Sequence, residues 1–133
     1  MDVYLSEEAL LFLKALSLAS SRPEADGFLI GHKRGQRFIV EKVLSSENGF
    51  FSSLKNFHRL NELFEGRLIG FFSFKATEKK VKKILAAFAY GKLFLDIYLN
   101  KRQQMTIRYY TVNFKNSFFL SLLPIPSSKD RNK

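Results

Sequence analysis

A mixed α/β domain, with one central mixed sheet flanked by helices, is the fold class this sequence predicts, and three observations predict it. The apolar run Arg67-Leu-Ile-Gly-Phe-Phe-Ser-Phe74 reads as a fully buried strand, and it leads directly into a lysine-rich helical pattern. Two hairpin patterns lie on either side of it in the chain. The order helix, hairpin, helix, strand, helix, hairpin then fits a single sheet with helices packed on it.

In chain order, Ser6 can cap a helix whose first turn carries Glu7 and Glu8, the sign the helix dipole favours. Ala9, Phe12, Leu13, Leu16 and Ala19 follow at helical spacing, so a helix is expected over about 7–19. Gly27 to His32 and Arg37 to Leu44 are strand-like runs on either side of Lys33-Arg34-Gly35-Gln36, which suits a tight turn. After a polar loop, Leu54, Phe57, Leu60 and Phe64 mark a second amphipathic helix, closed by Glu65-Gly66. Beyond the strand over 67–74, Thr77 can cap a third helix with Val81, Ile84, Leu85 and Phe88 on one face and Lys79, Lys82 and Lys83 on the other. Leu93 to Leu99 and Met105 to Val112 form a second hairpin pattern, and the region from Phe114 to Ile125 adds a short last strand. Residues 1–126 are expected to form one domain and residues 127–133 a disordered tail.

The chain has 133 residues, 46% of them hydrophobic, which is enough to bury a core without disulfides or a metal. With no cysteine, thiol catalysis, cysteine zinc sites and a disulfide framework are excluded. No apolar run reaches the length of a membrane span, and Asp2, Glu7 and Glu8 stand where a signal peptide carries positive charge, so a soluble, cytoplasmic protein with no membrane partner is expected. The net charge is +10 and unevenly placed: −1 over residues 1–65 and +11 over residues 66–133. Such a basic half suits nucleic acid, an anionic membrane surface or an acidic protein partner, or serves solubility alone. The densest basic cluster is Lys75, Lys79, Lys80, Lys82 and Lys83, a candidate partner-binding face, with Arg108, Tyr109 and Tyr110 as candidate stacking groups.

Chemistry-bearing motifs are scarce. Gly27, Gly31 and Gly35 lack the spacing and the Gly-Lys-Ser/Thr of a phosphate loop, there is no Gly-x-Ser-x-Gly, and His32 and His58 are the only histidines. Asp96, between Leu95 and Ile97, points by alternation to the opposite strand face and calls for solvent or a basic partner.

Pro23-Glu24-Ala-Asp-Gly27-Phe-Leu-Ile-Gly31, after an amphipathic helix and before a hairpin, resembles the start of the MPN (JAB/JAMM, Mov34-like) family. Active members are zinc hydrolases of isopeptide or peptide bonds, with two histidines of a His-x-His strand and an aspartate on the metal and an upstream glutamate handling the proton. The resemblance puts Glu24 at that glutamate and Ile69 to Phe74 at the His-x-His strand. Aligned on Gly70, the histidine positions fall on Ser73 and Lys75; aligned on the serine, on Phe72 and Phe74. The aspartate position falls on Lys80, where a cation opposes zinc. Phenyl rings have no lone pair to give and a neutral serine is a poor zinc ligand, so no metal and no cofactor is expected.

The resemblance therefore implies a degenerate, catalytically inactive member, with Glu24, Phe72, Ser73, Phe74, Lys75 and Lys80 as a vestigial site. Fifteen phenylalanines exceed what the core needs, and surface aromatics favour an interface. The function expected is a protein-interaction or dimerisation scaffold. The alternatives are a basic nucleic-acid-associated protein and a zinc hydrolase rebuilt from Glu24, His32 and His58.

Overall fold

The structure, a computed structural model, describes residues 2–18, 26–46, 54–74, 77–102 and 104–123, the side chains of residues 46, 54–57, 60, 80 and 83 excepted. Its elements in chain order are β1 (Asp2–Leu5), α1 (Glu7–Leu18), β2 (Asp26–Arg34), β3 (Arg37–Ser46), α2 (Leu54–Leu63), β4 (Leu68–Phe74), α3 (Glu78–Ile84), a 3-10 turn over Ala87–Ala89, β5 (Leu93–Leu99), β6 (Met105–Lys115) and β7 (Ser117–Leu122). The strands form one seven-stranded sheet in the order β1-β3-β2-β4-β5-β6-β7, curled into a half-barrel. β1 runs parallel to β3 and β4 parallel to β5; every other neighbouring pair is antiparallel.

This corrects the expectation of a helix-flanked α/β domain, and with it the MPN-like fold that the resemblance implies. The molecule is mostly β, with about half of its described residues in strands. Two stretches account for the difference. Asp2–Leu5, whose sequence suggests only a lead into α1, pairs with β3 as an edge strand. Residues beyond Val112, where the second hairpin was expected to stop, carry β6 on to Lys115 and turn at Asn116 (φ 70°) into β7, which falls within the last strand expected between Phe114 and Ile125. The third helix stops at Ile84 and gives way to the 3-10 turn, so the apolar set Val81 to Phe88 spans two short pieces.

The sequence signals at the helix starts do hold. Ser6 caps α1 by accepting from the Ala9 N–H at 3.0 Å, and its hydroxyl donates to the Glu41 carbonyl at 2.7 Å, tying the helix start to β3. Ala9 and Leu13 then bury themselves against Val3, Phe38, Val40 and Val43. Gly35 (φ 58°) makes the β2–β3 turn, a conformation L side chains rarely adopt.

Each sheet face carries a core. One holds Leu29, Phe72, Phe74, Leu95, Ile97 and Tyr109 together with α1; the other holds Phe28, Phe71, Phe94 and Val112 with Ile84 and Ala89. β4, with all seven residues buried, lies at the centre and serves both. Its neighbour Gly27 has no room for a side chain: a Cβ there would lie 2.0 Å from the Leu44 oxygen and 2.3 Å from the Phe72 ring. The Phe72 ring thus lies over its cross-strand partner glycine.

Candidate functional site

Alternation along β4 divides the suspected vestigial site between the two faces. Phe72 and Phe74 point into the α1-side core, with rings edge-on at 6.1 Å, while Ser73 points to the other side beside Phe71. All three are buried, Phe72 and Ser73 completely. Glu24 and Lys75 lie outside the described residues, as does the side chain of Lys80.

Ser73 belongs to a polar row that the sheet register assembles across four strands. Asp26 of β2 pairs with Ser73 of β4, Ser73 with Asp96 of β5, and Asp96 with Arg108 of β6. Paired residues share a face, so the four side chains stand side by side. The Ser73 hydroxyl donates to Asp26 Oδ1 at 2.8 Å, and Asp26 is only 6% exposed. A buried carboxylate satisfied by a hydroxyl is a structural device here. A nucleophilic serine must be reachable by its substrate, and Ser73, fully buried, is not. Asp26 escapes sequence reasoning because it reads as a loop acid before Gly27; only the register with Ser73 marks it.

His32 is half-exposed and lies 3.8 Å from Glu41, whose other oxygen pairs with Arg67. His58 is exposed on α2. Among the described residues no group of three or more His, Asp or Glu is placed to hold a metal ion. On the basic face Lys79 and Lys82 are exposed, and the side chain of Lys83 lies outside the described residues. Tyr109 is buried in the α1-side core and unavailable for stacking; Arg108 is exposed, hydrogen-bonded to Tyr110 and 5.3 Å from the Tyr98 ring centre. A groove of about 620 Å³ between α1 and β3, lined by Glu7, Glu8, Leu11, Phe12 and Lys42 among others, carries no nucleophile paired with a base.

The open edge of the sheet is the more informative feature. An apolar ladder runs across five strands in register, Phe28–Phe71–Phe94–Tyr110–Leu122. Its first three members are 1–2% exposed, Tyr110 is half-buried, and Leu122 is 60% exposed. Beside it Phe114 is 54% exposed and packs edge-on to Phe118 at 4.8 Å; on the opposite face Phe119 is 41% exposed. β7 reads Ser-Phe-Phe-Leu-Ser-Leu, without charge or proline, and no described strand pairs with its outer side. Natural edges are usually blunted by charge, proline or brevity. β1, the other edge, follows that rule: it has four residues and carries Asp2, 3.7 Å from Arg37.

The hydrogen-bond phase of β7 is also fixed. The Leu123 N–H donates to the Tyr109 carbonyl at 2.8 Å. Main-chain groups alternate sides along an antiparallel strand, so residues 117, 119 and 121 turn theirs toward β6, and Phe118, Leu120 and Leu122 turn theirs outward.

Among the described residues no helix is long and apolar enough to cross a membrane. No family model matches the sequence, and neither does any curated protein. The fold is similar to the solution structure of protein DSY2949 from Desulfitobacterium hafniense, with a TM-score of 0.61 and 18% identity over 96% of this chain and 94% of that one. At that identity the likeness shows the fold alone.

Proposed function

We propose that this chain is a catalytically silent protein-interaction module whose interface is the outer edge of β7. The observation that carries the reading is the strand itself: uncharged, proline-free, with outward main-chain groups at Phe118, Leu120 and Leu122 and exposed apolar side chains on both faces. An extended segment added there gains main-chain hydrogen bonds, while Phe118, Leu120 and Leu122 supply apolar contacts for its side chains. The inaccessibility of the Ser73–Asp26 pair supports catalytic silence.

The test is amide hydrogen exchange on the full chain from low to high concentration, beside the double variant Phe119→Lys/Leu122→Lys. Phe119 is 41% and Leu122 60% exposed, so the variant stays folded at a cost of about 1 kcal/mol. Outward amides at Phe118, Leu120 and Leu122 should slow with concentration in the parent chain and stay fast in the variant. Equal rates in both at every concentration, with or without an added nine-residue Val/Thr strand-forming peptide, sink the interface.

A further inference from the structure

We propose that the partner on the β7 edge is a second copy of this chain, paired antiparallel about a two-fold axis through Leu120; this rests on the reading of β7 as the interface. Outward-pointing residues must meet outward-pointing residues for an antiparallel ladder to form, and on this edge those are Phe118, Leu120 and Leu122. A two-fold centred on Leu120 sets Phe118 opposite Leu122 of the second copy, Leu120 opposite its own counterpart, and Leu122 opposite Phe118 of the second copy. That register forms about six new main-chain hydrogen bonds, two for each facing pair.

The same register satisfies the side chains. Directly opposed residues share a face, so three apolar pairs extend the rungs that Tyr110–Leu122, Val112–Leu120 and Phe114–Phe118 already form. The exposed end of the five-strand apolar ladder, Leu122, is then covered. On the other face Phe119 stands opposite Ser121 of the second copy. The next in-phase alternative, centred on Phe119, sets Leu122 against Asn116, a turn residue with φ 70°, and leaves the ladder end open.

Charge selects the occupant. The chain carries +10, and its excess lies in the same half as β7. An acidic partner is drawn to Lys79, Lys82 and Arg108 rather than to six uncharged residues. Net charge opposes the approach of a second copy, and that opposition is weakest where both surfaces are neutral, as along β7. An interface built on one strand pair falls at or below the small end of specific interfaces, so a monomer–dimer equilibrium with a Kd on the order of tens of micromolar is expected.

The experiment exploits the absence of cysteine from the chain. In Leu120→Cys, facing Cα atoms would lie about 5.5 Å apart, within disulfide range. In Ser117→Cys the two sulfurs would be separated by six residues of strand, roughly 20 Å. Under mild oxidation Leu120→Cys should cross-link to a dimer and Ser117→Cys should not, while sedimentation equilibrium of the parent chain should show mass rising with concentration from 15.4 kDa toward twice that value. Cross-linking of both variants alike, or a monomer at every concentration, overturns the proposal. A monomer whose Phe118, Leu120 and Leu122 amides still slow on adding the Val/Thr peptide overturns the second copy and leaves the edge as a site for another protein. Amides that respond to neither overturn both readings. Association that appears only on adding a DNA oligonucleotide overturns this proposal in favour of nucleic acid.

Discussion

Ser73 lies near the end of the central strand β4, fully buried, and its hydroxyl is committed to the Asp26 carboxylate. Hydrogen bonds to a charged acceptor contribute about 1.5–3 kcal/mol, and removing the donor leaves that carboxylate less satisfied in the core. Ser73→Ala is therefore expected to lower unfolding free energy by about 1.5–3 kcal/mol in urea titrations; a loss below about 0.5 kcal/mol would show that the bond is dispensable. Lys92, half-buried where β5 begins, supplies a pH signature. Burial lowers its ammonium below the ordinary 10.5. Between that lowered value and 10.5 the unfolded chain holds the proton better than the folded chain, so stability rises as pH increases through the interval, and below it this residue adds no slope. Lys92→Gln should flatten that rise, which urea midpoints measured from pH 8 to 10.5 would reveal; identical slopes in parent and variant would exclude it.

Among the elements, α1 and β7 show two opposite solutions to a boundary. α1 is secured at its first turn, where one serine both caps the Ala9 N–H and bonds to the Glu41 carbonyl of β3. Ser6→Ala removes both bonds, with an expected cost of about 1–2 kcal/mol and faster amide exchange in the first turn of α1. A variant of parental stability would mean that packing by Ala9 and Leu13 alone positions the helix. β7, in contrast, has its inner ladder complete, and among the described residues no strand uses its outer ladder. The last strand was legible as a short one somewhere between Phe114 and Ile125, but its register was not. A one-residue shift would exchange Phe118 and Phe119 between faces, and only the Leu123–Tyr109 bond and the Asn116 turn set which one joins the core.

For the whole molecule, uneven charge governs how it meets a partner. Two copies, each at +10, repel through water, and salt screens that repulsion over a Debye length of about 10 Å at 0.1 M. Self-association through a neutral apolar strand should therefore tighten, by roughly threefold or more, between 0.05 and 0.5 M NaCl. Binding to a polyanion changes in the opposite direction, because bound counterions are released. Sedimentation equilibrium at the two salt concentrations reads the sign directly, and weakening with salt would refute association through β7.

The amino-acid sequence by itself determined the start of every helix, the β2–β3 and β5–β6 hairpins and the division of Phe71 from Phe72 and Phe74, because capping, turn chemistry and periodicity of two or 3.6 residues act over a few neighbours. It also determined the lopsided charge and the absence of thiol chemistry. The mostly β architecture was decided only in tertiary structure. Asp2–Leu5 becomes a strand because β3 offers it a parallel edge, and no local pattern in four residues announces that. The Asp26–Ser73–Asp96–Arg108 row and the ladder ending at Leu122 likewise join residues from distant parts of the chain. Which side chains share a face across strands depends on pairing register, a long-range quantity set by packing and main-chain hydrogen bonds rather than by neighbours in the chain.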